Sequence, residues 1–254
     1  MTKRIYRLTE AGRNAWESQE AAVPADYRRL LWLMDFHGHT GLVGHLARSY
    51  PRDMLDEWLS EMEELGLIEQ VPPHEEKQEH FTAQSTDNTL GLDDVQMQDQ
   101  VRTATNSMAT AGAYLATERI GRRAPVTKAR ADTEILIVED DPDQLALADL
   151  RVSMAGYRVR VADSANAFLQ TMFDDGAPDL LVLDLELPDG DGFEILARMR
   201  RHRALSGLPI VLLTARDEPE MIGKGLVLGA DAYVTKPYTK RLLADIIAKV
   251  LRQG

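Results

Sequence analysis

Glu139 and Asp140 directly follow the apolar run Ile135-Leu136-Ile137-Val138, and Asp184 directly follows Leu180-Leu181-Val182-Leu183. Two later apolar runs end differently: Leu-Leu-Thr-Ala places a hydroxyl at Thr214, and Tyr-Val-Thr-Lys-Pro places an ammonium at Lys236. If these runs are parallel strands of one sheet, with the first and third adjacent, all five groups reach the same edge, where such sheets bind their ligands. Carboxylates crowded into one crevice repel one another, and each needs a cation to stay ionised. An oxygen-only ligand set with room for water suits magnesium. An acid after a strand is more simply a helix cap or a solvated loop residue. Asp141, followed by Pro142, is read as such a cap. Asp184 alone would be read that way too, and Lys236 alone as a surface charge. Their arrival together with Thr214 at one edge supports the chemical reading.

The elements that would position these groups are legible from residue 133 onward. Strand signals at 135–138, 158–161, 180–183, 209–213 and 231–235 alternate with helix signals. The helices start at Asp141-Pro142 and Ser164, span 192–201 and 218–228, and end with 239–251. That last segment carries the stripe Leu242, Leu243, Ile246, Ile247 and Val250. Strict alternation with short connections predicts an α/β domain, a doubly wound five-stranded parallel sheet covered on both faces.

Ile-Val-Glu-Asp-Asp-Pro, Leu-Val-Leu-Asp-Leu-Glu-Leu-Pro-Asp-Gly-Asp-Gly, Leu-Leu-Thr-Ala and Gly-Ala-Asp-Ala-Tyr-Val-Thr-Lys-Pro-Tyr together resemble the receiver domain of two-component response regulators, a flavodoxin-like fold. The resemblance covers close to half the chain, with every motif in order. It implies that Asp184 is the phosphoacceptor, attacking the phosphorus of a phosphohistidine to give an acyl phosphate. It implies Mg2+ as cofactor, held by Glu139, Asp140, Asp184 and the main-chain carbonyl of Glu186. Lys236 would contact Asp184 and then a phosphoryl oxygen. Thr214 would bond another such oxygen, and Tyr233 would follow Thr214 as a switch residue. Pro237 is expected after a cis peptide bond. The first acid is Glu139 where many members have Asp, and the longer arm still reaches. Glu186 and Arg216, each two residues beyond a site residue, would flank the phosphoryl position.

The first 71 residues read as a mainly α domain: a strand at 5–8, helices at 9–17, 26–36, 42–50 and from Pro51, then an entry into a strand at 65–68. The predicted core faces are Tyr27, Leu30, Leu31 and Met34 on one helix, and Met54, Leu55, Trp58, Leu59 and Met62 on another. Trp16 and Trp32 are read as packing residues. This order resembles a winged helix-turn-helix, but Tyr-Arg-Leu-Thr-Glu-Ala-Gly-Arg stands before the helices, where such regulators place it after them. Residues 72–131 are read as a linker with a central helix over about 93–123, and 132–254 as the receiver. In that helix Met97, Val101, Ala104, Met108, Ala111 and Leu115 form a heptad seam, which makes a homodimer a candidate. His37, His39 and His45 lack a fourth ligand and are read as loop and surface residues.

Bulk properties narrow the output. The 254 residues carry a formal charge of −12 and no cysteine, which excludes disulfides and thiolate chemistry. The start has no apolar core like a signal peptide, and no apolar run can cross a bilayer, so a cytoplasmic protein without membrane contact is expected. Residues 1–71 hold eight basic against twelve acidic side chains. The helix in the recognition position holds Asp53, Asp56, Glu57, Glu61, Glu63 and Glu64, which disfavours DNA. A signalling protein, not an enzyme, is therefore expected, with a histidine kinase or histidine phosphotransfer protein as phosphodonor. Its N-terminal output would act by protein contact or assembly. The alternatives are a phosphorylation-controlled DNA-binding transcription regulator and a phosphorelay intermediate.

Overall fold

The computed structural model describes residues 6–17, 23–37, 51–71, 112–202 and 204–253. The helix expected at 42–50, His39 and His45, and the seam residues other than Leu115 lie outside them. The chain divides into two compact units, Met1–Gly91 and Leu92–Gly254. Among the described residues no helix is long and apolar enough to cross a membrane.

In the first unit, β1 (Tyr6–Leu8) leads into α1 (Glu10–Glu17), α2 (Ala25–His37), α3 (Arg52–Glu64) and β2 (Ile68–Gln70). β1 and β2 pair antiparallel, with Leu8 opposite Ile68. Tyr27, Leu30, Leu31 and Met34 are buried as expected, and so are Leu55, Leu59 and Met62 of α3. Met54, expected in that core face, is 40% exposed. It directly precedes the inward-facing Leu55, and a stripe with Leu59 and Met62 at its centre turns the Met54 position toward solvent. Gly12 is required by close approach, because a Cβ there would lie 2.1 Å from the carbonyl oxygen of Leu67. The Tyr27 hydroxyl donates to the Glu61 carboxylate, which with burial pushes the phenol up to about 12.

The second unit begins with β3 (Ala113–Leu115), α4 (Thr117–Arg122) and a 3-10 turn at Arg130–Asp132. β4 (Glu134–Val138), α5 (Pro142–Met154), β5 (Arg158–Ala162), α6 (Ala165–Asp174) and β6 (Leu180–Leu183) follow. A small hairpin, β7 (Glu186–Leu187) with β8 (Gly190–Asp191), precedes α7 (Gly192–Arg201). The chain closes with β9 (Ile210–Thr214), α8 (Pro219–Leu228), β10 (Ala232–Thr235) and α9 (Leu242–Leu251). Strand order is β3-β10-β9-β6-β4-β5, parallel throughout except for β3 on β10. β6 and β9 are buried along their whole length, which is why both read as unbroken apolar runs. Asp141 and Ser164 cap α5 and α6 through the amides of Asp143, Gln144 and Ala167.

Two expectations are corrected. Among the described residues the sheet has six strands where five were predicted, and the helix predicted over about 93–123 does not run through, since 113–115 is a strand. Ala113 and Leu115 are buried while Tyr114 between them is half-buried, a period of two. A window that short fits a heptad or a strand equally, and the open hydrogen-bonding edge of β10 decides. Gly112, at φ +73°, turns the chain into that edge. The segment that follows, expected as linker, is packed onto the unit. Val126 N–H donates to the Leu251 carbonyl at 3.0 Å, and the Gln253 amide donates to the Lys128 carbonyl and to Thr133 Oγ1, each at 3.0 Å.

Candidate functional site

The register of the sheet brings the predicted groups together. Val138 pairs with Leu183, so Glu139 and Asp184 emerge side by side, and Thr235 pairs with Thr214, so Lys236 emerges beside them. The turns are held by backbone bonds: Glu139 N–H to the Ala162 carbonyl, Asp184 N–H to Val138, and Lys236 N–H to Thr214 at 2.8 Å. Lys236 and Pro237 are joined by a cis peptide bond, as expected. The Gly192 position is tight, because a Cβ would fall 2.4 Å from the Asp184 carbonyl oxygen.

Glu139 and Asp184 are 2% and 5% exposed, and Asp140 is open to solvent. Carboxylate oxygens of all three lie within 4.8 Å of one another. The Lys236 ammonium donates to Asp184 Oδ2 at 2.7 Å and to the Glu139 carboxylate. Burial pushes Glu139 up to about 7, aided by the charge of Asp184 and opposed by Lys236. For Lys236, burial works against the charged form, but the hydrogen bonds to Asp184 and Glu139 outweigh it and raise its pKa. Ionising all three carboxylates against one ammonium would leave two negative charges uncompensated, so the oxygen-only set fits a divalent cation, which would keep Glu139 ionised. Asp184 Oδ1 also accepts from the Glu186 N–H at 3.2 Å.

The remaining predicted residues surround this cluster. Thr214 is buried, and its Oγ1 accepts from the Arg216 N–H at 3.3 Å. Tyr233 is fully buried and its hydroxyl donates to the Arg216 carbonyl at 2.9 Å, which ties it to the loop after β9. Burial drives the Tyr233 phenol upward, so it stays a donor. Glu186 and Arg216 meet across the site as expected, with Nε to Oε1 at 3.2 Å.

Sequence reasoning missed three residues that hold this geometry. Asp231 is fully buried at the far end of β10, where it accepts from the Ile210 N–H at 2.8 Å. It also pairs with Arg123 at 2.7 Å and Arg200 at 3.2 Å. An acid between two alanines at the start of a buried strand was the available signal, since a charge there needs a partner. Thr235 and Gly112 carried none, because they meet only when β3 is placed.

Residues 135–248 match the family model described as the response regulator receiver domain. Similar curated proteins include the transcriptional regulatory protein AfsQ1 of Streptomyces coelicolor, 42% identical over 120 residues, which are 47% of this chain and 52% of that protein. Another is the phosphate regulon transcriptional regulatory protein PhoB of Pseudomonas aeruginosa, 35% identical over 119 residues, 47% of this chain and 52% of that protein. This chain thus spans about half the length of these curated relatives. Among solved structures, a response regulator of Chloroflexus aurantiacus is 33% identical over 48% of this chain and 98% of that one, with a TM-score of 0.45. With the motif residues assembled at one sheet edge and the family match over the same segment, the C-terminal half of this chain is a response regulator receiver domain.

Proposed function

We propose that Asp184 accepts a phosphoryl group from a phosphohistidine of a histidine kinase or phosphotransfer protein, and that the acyl phosphate switches an output of the N-terminal half. The observation that carries this reading is the Lys236 ammonium shared between Asp184 and Glu139 beside the solvent-open Asp140. An Asp184 carboxylate oxygen forms the new bond to phosphorus as the phosphorus–nitrogen bond breaks. The imidazole leaves with that electron pair and takes up a proton. Glu139, Asp140, Asp184 and the Glu186 carbonyl would hold Mg2+, which supplies charge neutralisation for the spreading oxygen charge. Lys236 holds the Asp184 carboxylate in place before transfer and receives a phosphoryl oxygen after it. Thr214 then donates its hydroxyl to another phosphoryl oxygen, and Tyr233, tied to Arg216, follows.

For the output, protein contact or a change of assembly is the favoured reading, with a homodimer as the simplest assembly. Asp53, Asp56, Glu57, Glu61, Glu63 and Glu64 of α3 are all exposed, and a helix so charged opposes entry between two rows of phosphates. Control of transcription through DNA is the second reading, supported by the names of the relatives and by a winged-helix-like order of elements closed by the β1–β2 pair. The test of the primary reading is labelling with acetyl phosphate and Mg2+, read by intact mass. One phosphoryl group should add to the wild type and none to Asp184→Asn. Labelling that persists in the variant refutes the assignment.

A further inference from the structure

We propose that strand β3, through Gly112 and Thr235, is a positioning device for Lys236, so that docking of β3 and occupation of Asp184 stabilise each other; the inference rests on the phosphoryl-accepting role of Asp184. Lys236 ends a long flexible stem, so its reach depends on how its backbone is held. On the inner side its N–H is fixed to the Thr214 carbonyl at 2.8 Å. On the outer side the fixing is done by the residue before it. Thr235 donates its N–H to the Gly112 carbonyl at 2.8 Å and its hydroxyl to the same oxygen at 3.2 Å. Without β3, β10 would be an edge strand, and edges open first.

The contact is built closely. Gly112 sits at φ +73°, and a Cβ on it would lie 2.6 Å from Thr235 Oγ1. The other end of β3 is anchored at the base of the sheet, where Ala116 N–H donates to the Asp231 carbonyl at 2.9 Å. The same Asp231 carboxylate pairs with Arg123 at 2.7 Å. Between the two ends, Tyr114 stands opposite the switch residue Tyr233. β3 therefore runs beside β10 from a fixed base to the residue adjoining the site lysine. Coupling of this kind is reciprocal. If β3 docking favours phosphoryl binding by some factor, phosphoryl binding favours β3 docking by the same factor.

The experiment uses the full chain with beryllium fluoride and Mg2+ as phosphoryl mimic, its uptake followed by fluorine NMR. Hydrogen exchange is read on peptides covering residues 112–116. Beryllofluoride should slow that exchange by about fivefold, the low end of measured coupling factors. Gly112→Ala should weaken beryllofluoride binding by about the same factor and leave Mg2+ affinity unchanged. Thr235→Val, which removes only the hydroxyl donor, should show a smaller loss in the same direction. Exchange that is indifferent to bound beryllofluoride overturns the proposal, as does a Gly112→Ala variant that binds it normally. An equal loss of Mg2+ affinity would mark a general defect of the fold and would count against it too. Failure of the wild type to take up beryllofluoride would instead overturn the phosphoryl reading itself, and this inference with it.

Discussion

Replacing Arg216 with alanine opens the pair it forms with Glu186 while leaving the rest of the site in place. The backbone bonds of Arg216, from its N–H to Thr214 Oγ1 and from the Tyr233 hydroxyl to its carbonyl, do not depend on its side chain. The lost contact is the Nε to Oε1 pair at 3.2 Å, whose side chains are 43% and 57% exposed. So exposed a pair is worth at most about 1 kcal/mol. That is minor for folding, but the same energy in a barrier is about fivefold in rate. The two residues follow Asp184 and Thr214 by the same offset, so the closed pair obstructs the path by which water reaches the phosphorus. The Glu186 carboxylate also repels phosphoryl oxygens, an effect of opposite sign on signal lifetime, and the obstruction is expected to dominate. Arg216→Ala should therefore release phosphate up to about fivefold faster than wild type. The assay is phosphate release after acetyl phosphate has been removed by rapid desalting. The difference should shrink as salt is raised, because screening lengths fall from about 30 Å at 0.01 M to about 10 Å at 0.1 M. An unchanged or slower release at the low salt concentration refutes the gating argument.

Three further outcomes are expected. Lys236→Ala should keep Mg2+ affinity largely intact by calorimetry yet lose any phosphorylation-dependent change in light scattering, since the ammonium contacts Asp184 and Glu139 while Asp140 stays open; a large loss of Mg2+ binding would contradict this role. Asp231→Asn should cost about 3–5 kcal/mol in urea unfolding, because it leaves the half-buried Arg123 and Arg200 without their carboxylate. A cost under about 1 kcal/mol would show that the Asp231 network contributes little. The full chain should be released from a DNA column at low salt, given the exposed acids of α3; retention that weakens steeply only above physiological salt would favour the DNA reading.

The receiver was legible because its information is local. Each of the β4, β6 and β9 runs is apolar throughout, and each site residue directly follows or ends its strand, so a strand order was enough to bring Glu139, Asp140, Asp184, Thr214 and Lys236 together. The Glu186–Arg216 pair followed from equal offsets along adjacent strands. What stayed hidden depends on contacts between distant segments. Ala111 and Leu115 satisfy a helical spacing, and only the unpaired edge of β10 turns 113–115 into a strand. The alanines flanking Asp231 hint at its burial, but its partner Arg123, more than a hundred residues earlier, is brought to it only by the fold. Met54 was misplaced for a smaller reason, since an apolar stripe fixes its centre better than its margin.

The strip from Gly112 to Asp132 has a consequence for how this receiver can be cut or recombined. An excision at residue 132, the boundary read from the sequence, would strip one arginine from Asp231 and leave the hydrogen-bonding edge of β10 bare. A bare edge of that kind invites pairing with another chain. Self-association seen in such a fragment would then belong to the cut, not to the signal. A gene fusion that carries this receiver intact must take its join upstream of Gly112, at least twenty-five residues before the first recognisable motif at Ile137.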